Sequence, residues 1–329
     1  MKLSVIIPLY NKEDYIELCL KSIVMSSVKP FEVILVDDKS TDSSLFRAQK
    51  CLRLFCDNQI TWKIITHEQN KGPGAARNSG IDAASGDYVL FLDADDCHVV
   101  GIFEELFLIV KKHPDSIVFF QVQYKSNGVV RPLLSKIQNN ICKVENLLYS
   151  IDNVFELLGK ESLVIASGNV LCKKSYIGEA RFNEKERIFE DWEFWFRILE
   201  CQDITFYPLR LLFFNKPLLI HNDEVEGSLQ RKIITSPDDI FPPLLLINLM
   251  GKSDDKYISY RKRLCSIWLY NSIKRLGWRG RSKFILTYRS LIVKNFLFNR
   301  YYLGVFLGFF GGGVLPSLGK AYKKLFYKA

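Results

Sequence analysis

Four apolar runs divide the first hundred residues at nearly regular intervals, and each ends in polar groups. "KLSVIIPL" (2–9), "FEVILVDD" (31–38), "WKIITH" (62–67) and "DYVLFLDADD" (87–96) are apolar at consecutive positions, not alternate ones. Strands with both faces covered read this way, as in parallel sheets sandwiched between helices. Helical spacing fills the gaps. Tyr15, Leu18, Cys19 and Ile23 recur along "DYIELCLKSIVMS", with Asp14 as the expected N-cap. "TDSSLFRAQKCLRLF" opens near Thr41 or Asp42, and "GPGAARNSGIDAAS" is a small-residue helix closed by Gly86. The alternation predicts an α/β fold on a mainly parallel sheet with helices on both faces. Ligands of such sheets bind beyond the carboxyl ends of the strands. Polar groups collect there: Tyr10 and Asn11, Asp37 and Asp38, His67, then Asp93 to Asp96.

The pattern continues as mixed α/β to about residue 225. "SIVFFQVQY" reads as a strand. "FEDWEFWFRILE" reads as a helix with Phe189, Trp192, Phe196 and Leu199 on one face. At helical spacing, at least one of Trp192 and Trp195 is expected in the core. The last third differs, interleaving Arg and Lys with Trp, Tyr, Phe and Leu. The uncharged stretch "YYLGVFLGFFGGGVLPSLG" (301–319) follows, then "KAYKKLFYKA".

Length and composition sharpen this. A chain of 329 residues, 48% hydrophobic, can bury one large core or two modest ones. The division expected is 1–100, 101–230 and 231–329, the first two being halves of one domain. The eight cysteines include no CxxC pair and no zinc spacing, which fits reduced thiols in a cytoplasmic setting. "LSVIIPL" is too short for a signal peptide, and Pro8 ends it. The net charge of +9 is uneven: from Lys256 onward stand 16 Lys or Arg and no acid, so the preceding residues sum to 9 − 16 = −7.

Candidate chemistry centres on "DADD". Carboxylates crowded at a sheet edge repel unless a cation joins them. Mg²⁺ and Mn²⁺ take oxygen ligands and bridge carboxylates to phosphates. Asp93 and Asp95, on an extended backbone with small Ala94 between them, can face one side. A diphosphate is the expected ligand. Taken alone, the pattern is equally that of a solvated turn.

"VIIPLYN", "EVILVDDKSTD", "NKGPGAARNSGIDAASGDYVLFLDADD" and "FEDWEFWFR" occur in this order, and together they resemble the family 2 glycosyltransferases. The likeness spans roughly residues 1–230 and is most specific in 1–100. It implies a GT-A-like nucleotide-binding unit fused to an acceptor-binding region. It also implies a role for each matching position. Pro8 and Tyr10 would line the base pocket. Asp38 would accept from a uracil-type base, with Asp37 buried beside it and Asp42 near the ribose. Arg77 would reach the ribose or diphosphate, and Gly72 and Gly74 would let their loop pass close to the nucleotide. Asp93 and Ala94 belong to the donor site. Asp95 would bind the metal, Asp93 the ribose or a metal-bound water, and Asp96 would support them. Asp191 would be the base for the acceptor hydroxyl, with Glu190 orienting it. His221, in "LLIHNDEVEGS", would join the metal or touch the diphosphate. The family's Tyr-Arg before it is replaced here by "FNKP". Plain alternatives stand beside these: Asp42 and the "ED" pair as helix caps, Arg77 and His221 as surface groups.

One base acting alone implies inversion. The function implied is a metal-dependent inverting glycosyltransferase of hexosyl or N-acetylhexosaminyl type. It would use a UDP-sugar with Mg²⁺ or Mn²⁺ in polysaccharide or glycolipid assembly, on a glycan or polyprenyl-diphosphate-linked acceptor. The tail carries no nucleic-acid-binding motif. Its cations and aromatics suit an anionic membrane surface, engaged through residues 256–329 at the inner face of the plasma membrane. Seven Gly or Pro make 301–319 a poor spanning helix, so a shallow or re-entrant anchor is expected over a span. Two alternatives remain. A sugar nucleotidyltransferase would need a basic Gly-rich loop after the first strand, where "IPLYNKED" stands. A non-catalytic membrane-surface protein would have degraded motifs.

Overall fold

The computed structural model describes residues 1–131, 141–159, 165–186, 189–204, 210–225, 242–250, 252, 255–276, 283–284 and 286–288. The chain forms two compact units, Met1–Glu226 and Gly227–Ala329.

The first unit is built on one mixed sheet. Strands β1 (Leu3–Leu9), β2 (Glu32–Asp37), β3 (Thr61–Thr66) and β4 (Tyr88–Phe91) run parallel in the order β3-β2-β1-β4. Next to β4, strand β10 (Val170–Lys173) is antiparallel, and it pairs antiparallel again with β6 (Ser116–Tyr124). Strand β11 (Arg210–His221) lies parallel to β6, with register shifts around Pro217. Strands β9 (Leu148–Ile151) and β8 (Ile141–Glu145) complete that side. β5 (Cys97–His98) pairs with β11, and β7 (Val130–Arg131) with β6. The result is the mixed α/β fold with a mainly parallel sheet that the apolar runs predict.

Helices cover both faces because both faces are apolar. On one side Leu3, Val5, Ile7 and Leu9 share a core with Ile16, Cys19, Leu20 and Ile23 of α1 (Ile16–Val24) and Phe103 and Leu106 of α4 (Ile102–Lys112). On the other side α3 (Pro73–Ala83) lies so close to β1 that a Cβ on Gly80 would sit 2.2 Å from Ile6 Cγ2. There Phe91 also meets Phe182, and Phe194 and Trp195 of α7 (Glu190–Ile204), edge-on at 5.4, 6.2 and 6.2 Å. Each such side chain contributes ~1.5–3 kcal/mol on full burial, so this aromatic cluster fixes α7 against the end of β4. Trp195 is the core member of its pair, fully buried.

Three local expectations are corrected. Tyr15, not Asp14, precedes α1, and no side chain caps it. Helix α3 ends at Ala83, with Ala84 after it; Gly86 instead donates its N–H to Ser4 Oγ at 2.9 Å. Strand β4 stops at Phe91, and Asp93 to Asp96 form a turn closed by Asp96 N donating to Asp93 O at 2.9 Å. Asp93 and Asp95 therefore do not share one face of an extended strand.

In the second unit α8 (Leu244–Met250) and α9 (Asp255–Arg275) are joined through Arg261, whose Nη1 donates to the carbonyls of Leu249 and Lys252 at 3.4 and 3.3 Å. Tyr257, Tyr260, Leu264, Cys265, Trp268 and Leu269 are buried along α9. The aromatics interleaved with its cations thus include core residues. Among the described residues no helix is long and apolar enough to cross a membrane. The expected anchor at 301–319 lies outside the described residues.

Candidate active site

The turn after β4 gives each of its three aspartates a different cation. Asp93 Oδ1 accepts from Arg77 Nη2 at 2.7 Å. Asp95 Oδ2 stands 2.7 Å from Lys12 Nζ. Asp96 accepts from His221 Nδ1 at 3.0 Å and from the Asn222 N–H at 2.8 Å. The last pair follows from topology: Cys97 is paired with Ile220 across β5 and β11, which sets Asp96 beside the end of β11. Burial lifts Asp96 to about 6 against the pull of His221. Burial also works against the His221 charge, but the Asp96 carboxylate outweighs it and raises the imidazole to about 9. Burial would likewise raise Asp93, yet the Arg77 guanidinium holds it below the usual carboxylate range. Ala94, between the acids, is buried.

Arg77 is the hub. It projects from α3, is 5% exposed, and donates through Nη1 to Glu190 Oε1 at 3.1 Å while Nη2 holds Asp93. Its guanidinium carbon lies 5.4 Å from the centre of the Phe182 ring. Burial opposes its charge, but Asp93 and Glu190 reverse that and stabilise the cation. The neighbouring Asn78 fastens the same segment: its Nδ2 donates to Phe182 O at 2.9 Å, and Phe182 N–H returns a bond to Oδ1 at 2.7 Å. Gly74 allows the approach, since a Cβ there would meet Phe182 Cβ at 3.3 Å and Glu190 Cγ at 3.9 Å.

Glu190 and Asp191 open α7, where a helix N-terminus favours negative charge. Phe189 just before them takes the left-handed φ of 65°, which non-glycine residues seldom adopt. Asp191 Oδ1 accepts from the Trp192 N–H at 2.9 Å. Burial and then the Glu190 charge raise Asp191 to about 7, against the pull of Arg77. A carboxylate poised near neutral pH suits a general base.

The end of β2 is committed more to architecture. Both Asp38 oxygens are engaged: Oδ1 with His67 Nδ1 at 2.7 Å and Lys71 N–H at 2.9 Å, Oδ2 with Gly72 N–H at 2.7 Å. His67 Nε2 also meets Ser79 Oγ of α3 at 2.9 Å. Asp38 thus ties the loop before α3 to the sheet, and Gly72 meets that loop's demand for a φ of 96°. The Asp37 carboxylate accepts only from Ser40 N–H, at 3.2 Å, among the described residues, while its backbone carbonyl accepts from His67 N–H at 2.9 Å. Asp42 accepts from the Ser44 N–H at 2.9 Å, at the start of α2 (Ser44–Asp57), and from Glu13 N–H at 3.2 Å. Burial raises Asp42, but these bonds hold it below the usual range. Pro8 lies half-buried on β1, and Tyr10 is 43% exposed just beyond it.

Sequence reading missed Lys12 and Asn78, and it set His67 at the sheet edge without a role. The signal for Lys12 was a lone cation in the first loop, opposite an acidic motif. His67 and Asn78 carry no local signal, because their partners lie on other elements. For a divalent cation the donor chemistry fits at Asp95, a partly exposed carboxylate; His221 turns Nδ1 to Asp96 and has no hydrogen bond at Nε2 among the described residues, so it would join only on giving up the Nε2 proton that its raised pKa retains. Asp93, Asp95 and His221 are nonetheless not drawn to one point, and no cluster of three or more such donors is formed among the described residues.

The sequence model of Glycosyl transferase family 2 matches residues 4–177, more than half of the chain. A poly(ribitol-phosphate) beta-glucosyltransferase of Bacillus spizizenii is 44% identical over 99 residues, 29% of this chain and 15% of its own. The glycosyltransferase GlyA of Streptococcus pneumoniae is 26% identical over 313 residues, 91% of this chain and 41% of its own. The chain therefore spans less than half the length of these two curated relatives. Among solved structures, S. aureus TarS 1-349 in complex with UDP-GlcNAc superposes with a TM-score of 0.59 at 20% identity. That match covers 83% of this chain and 73% of the other, and at this identity the likeness is one of fold.

Proposed function

The chain belongs to glycosyl transferase family 2, and from that premise we propose that it is an inverting, nucleotide-diphosphate-sugar-dependent glycosyltransferase of polysaccharide or glycolipid assembly. The observation that carries this reading is Arg77, one buried guanidinium bonded both to Asp93 at the end of β4 and to Glu190 beside Asp191. It makes one site of an acidic sheet edge suited to a donor diphosphate and a carboxylate near neutral pKa suited to an acceptor hydroxyl. The UDP-GlcNAc complex of a protein with the same fold supports a UDP-sugar donor, hexosyl or N-acetylhexosaminyl.

In this mechanism residues 1–100 hold the donor. Pro8 and Tyr10 flank the base; in place of Asp38, whose two carboxylate oxygens are both engaged, Asp37, with one carboxylate oxygen uncommitted among the described residues, accepts from it. Asp38, Gly72 and Asp42 shape the loops around it. Arg77 fixes Asp93 for the ribose side. Asp95, with Asp93 and His221 nearby, would hold Mg²⁺ or Mn²⁺, which supplies charge neutralisation for the departing diphosphate. Asp191 takes the proton from the acceptor hydroxyl as the new glycosidic bond forms and the bond to the diphosphate breaks. Attack from the base's side with departure on the other inverts the anomeric centre. Glu190 orients this base through Arg77. The acceptor is a glycan or a polyprenyl-diphosphate-linked sugar, and residues 256–329 hold the protein to the anionic inner face of the membrane.

UDP release from a panel of UDP-sugars, with Mn²⁺ and with EDTA, tests the activity. Metal-dependent turnover that Asp95→Asn removes is expected; neither turnover nor nucleotide binding across the panel would sink the reading. Sedimentation with anionic liposomes tests the tail. Binding that survives truncation after Asp255 would exclude it as the membrane contact.

A further inference from the structure

The three aspartates of the β4 turn are not equally free to change partners. Asp93 is held by a buried guanidinium, and Asp96 by an imidazole and a backbone N–H. Asp95 has one partner among the described residues, the ammonium of Lys12, and both side chains keep about a fifth of their surface, 19% and 22%. Water competes for such a pair, and a lysine stem has many rotamers, so the contact is easily exchanged.

The backbone beneath Lys12 is, in contrast, fixed. Asn11 takes a left-handed φ of 49°. Its Oδ1 accepts from Thr41 N–H at 2.8 Å, and its Nδ2 donates to Thr41 Oγ1 at 3.1 Å. Lys12 N–H donates to Ser44 Oγ at 2.6 Å, Glu13 N–H to Asp42 Oδ2 at 3.2 Å, and Arg47 Nη1 to Glu13 O at 3.0 Å. A loop clamped to the start of α2 thus presents one flexible cation at the acid best suited to bind a metal.

We infer that Lys12 is an exchanging counter-ion: it screens Asp95 in the free protein and turns to a phosphate oxygen of the donor when a divalent cation takes Asp95. Like charges so close cannot both stay on one carboxylate, and the displaced ammonium remains tethered beside a diphosphate of opposite charge. This rests on the nucleotide-sugar reading above. Lys12 is accordingly a donor-binding residue that also tempers metal affinity before the donor arrives.

The full chain and its Lys12→Met and Lys12→Gln variants are titrated with Mn²⁺ alone, followed by electron paramagnetic resonance, and with UDP at saturating Mn²⁺, followed by calorimetry. Thermal melts confirm folding. Removing the ammonium is expected to tighten Mn²⁺ binding about three- to tenfold and to weaken UDP binding about tenfold. Lys12→Arg is expected to keep Mn²⁺ binding near the wild-type level. Mn²⁺ affinity that is unchanged or weaker in Lys12→Met overturns the screening role, and unchanged UDP affinity overturns the transfer to phosphate. UDP binding that needs Lys12 but no Mn²⁺ also overturns the exchange, because the ammonium would then serve as the cation itself. A wild-type chain that binds neither Mn²⁺ nor UDP sinks the nucleotide-sugar reading, a result distinct from each of these.

Discussion

Arg77 and Glu190 stand 113 residues apart in the chain and 3.1 Å apart in space. The bond joins α3, whose residues lie in the parallel half of the first unit, to α7, anchored by aromatic packing on β4. Glu190 is 12% exposed and Arg77 6% by side chain, so water does little to screen the pair. Removing one partner of a buried pair leaves the other without compensation, which is more costly than the pair is stabilising.

Arg77→Met should therefore lose ~3 kcal/mol of stability and at least ~100-fold in UDP release, through misplacement of Asp93 and Glu190. Arg77→Lys should recover little, because a single ammonium cannot span two carboxylates as a guanidinium fork does. Urea unfolding and initial-rate assays read the two effects. A lysine variant equal to wild type in both would refute the hub.

Asp191, raised to about 7, must be deprotonated to accept a proton. Turnover should fall about tenfold per pH unit below 7 and level off above it, and Asp191→Asn should lose ~10²–10⁴-fold. The stability sign is opposite. A carboxyl raised from its ordinary 3.8 binds more protons folded than unfolded, so its stabilising effect is complete below pH 3.8 and is lost as pH rises through 7. Asp191→Asn should then gain on the order of 1 kcal/mol at pH 8. A variant that loses turnover and stability together at pH 8 argues for a merely structural carboxylate.

His98 is buried, touches the Phe103 ring edge-on at 5.5 Å, and has no hydrogen bond at either ring nitrogen among the described residues. Burial drives its pKa down to about 3, from 6.5. The unfolded chain therefore binds the extra proton between those values, and stability should drop as pH falls from 6.5 toward 3, by up to ~1.4 kcal/mol per unit. His98→Leu should remove that share of the acid slope without lowering stability at pH 8. Denaturation midpoints from pH 4 to 8 decide it, and an unchanged slope would be the contrary result.

Glu32 marks the opposite end of the sheet. It is buried, accepts from Ser4 Oγ at 2.7 Å and Ser85 N–H at 2.6 Å, and pairs with Lys63 at 3.0 Å. Burial raises it, but these donors together lower it to about 2. Its stabilisation is present above pH 4.5 and lost as pH falls toward 2. Glu32→Ala should lose ~3 kcal/mol of stability while UDP affinity stays within about twofold at 15 °C, since additivity holds for distant sites. A large loss of nucleotide affinity in the folded variant would mean that the two ends of the sheet are coupled.

The parallel half of the fold was legible because β1, β2 and β4 carry long consecutive apolar runs, a pattern that burial on both faces explains, while β3 at the sheet edge is only partly buried. The helices between them followed from spacing. Asp14 failed as a cap because a cap needs a backbone geometry that composition does not reveal. The mixed half was less legible. The antiparallel insertion of β10 between β4 and β6 depends on long-range pairing, and nothing in "VLCK" records its neighbours.

The same division runs through the site. By itself the sequence determined that acids gather after β4 and before α7, and that they resemble those of one family, because residue type and order are local facts. Tertiary structure alone decided their partners. Asp93, Asp95 and Asp96 stand within four positions, yet they turn to Arg77, Lys12 and His221, drawn from α3, from the loop after β1 and from the end of β11. The reason is electrostatic: three neighbouring carboxylates repel one another, and each is held by whichever cation the folded sheet edge brings to it.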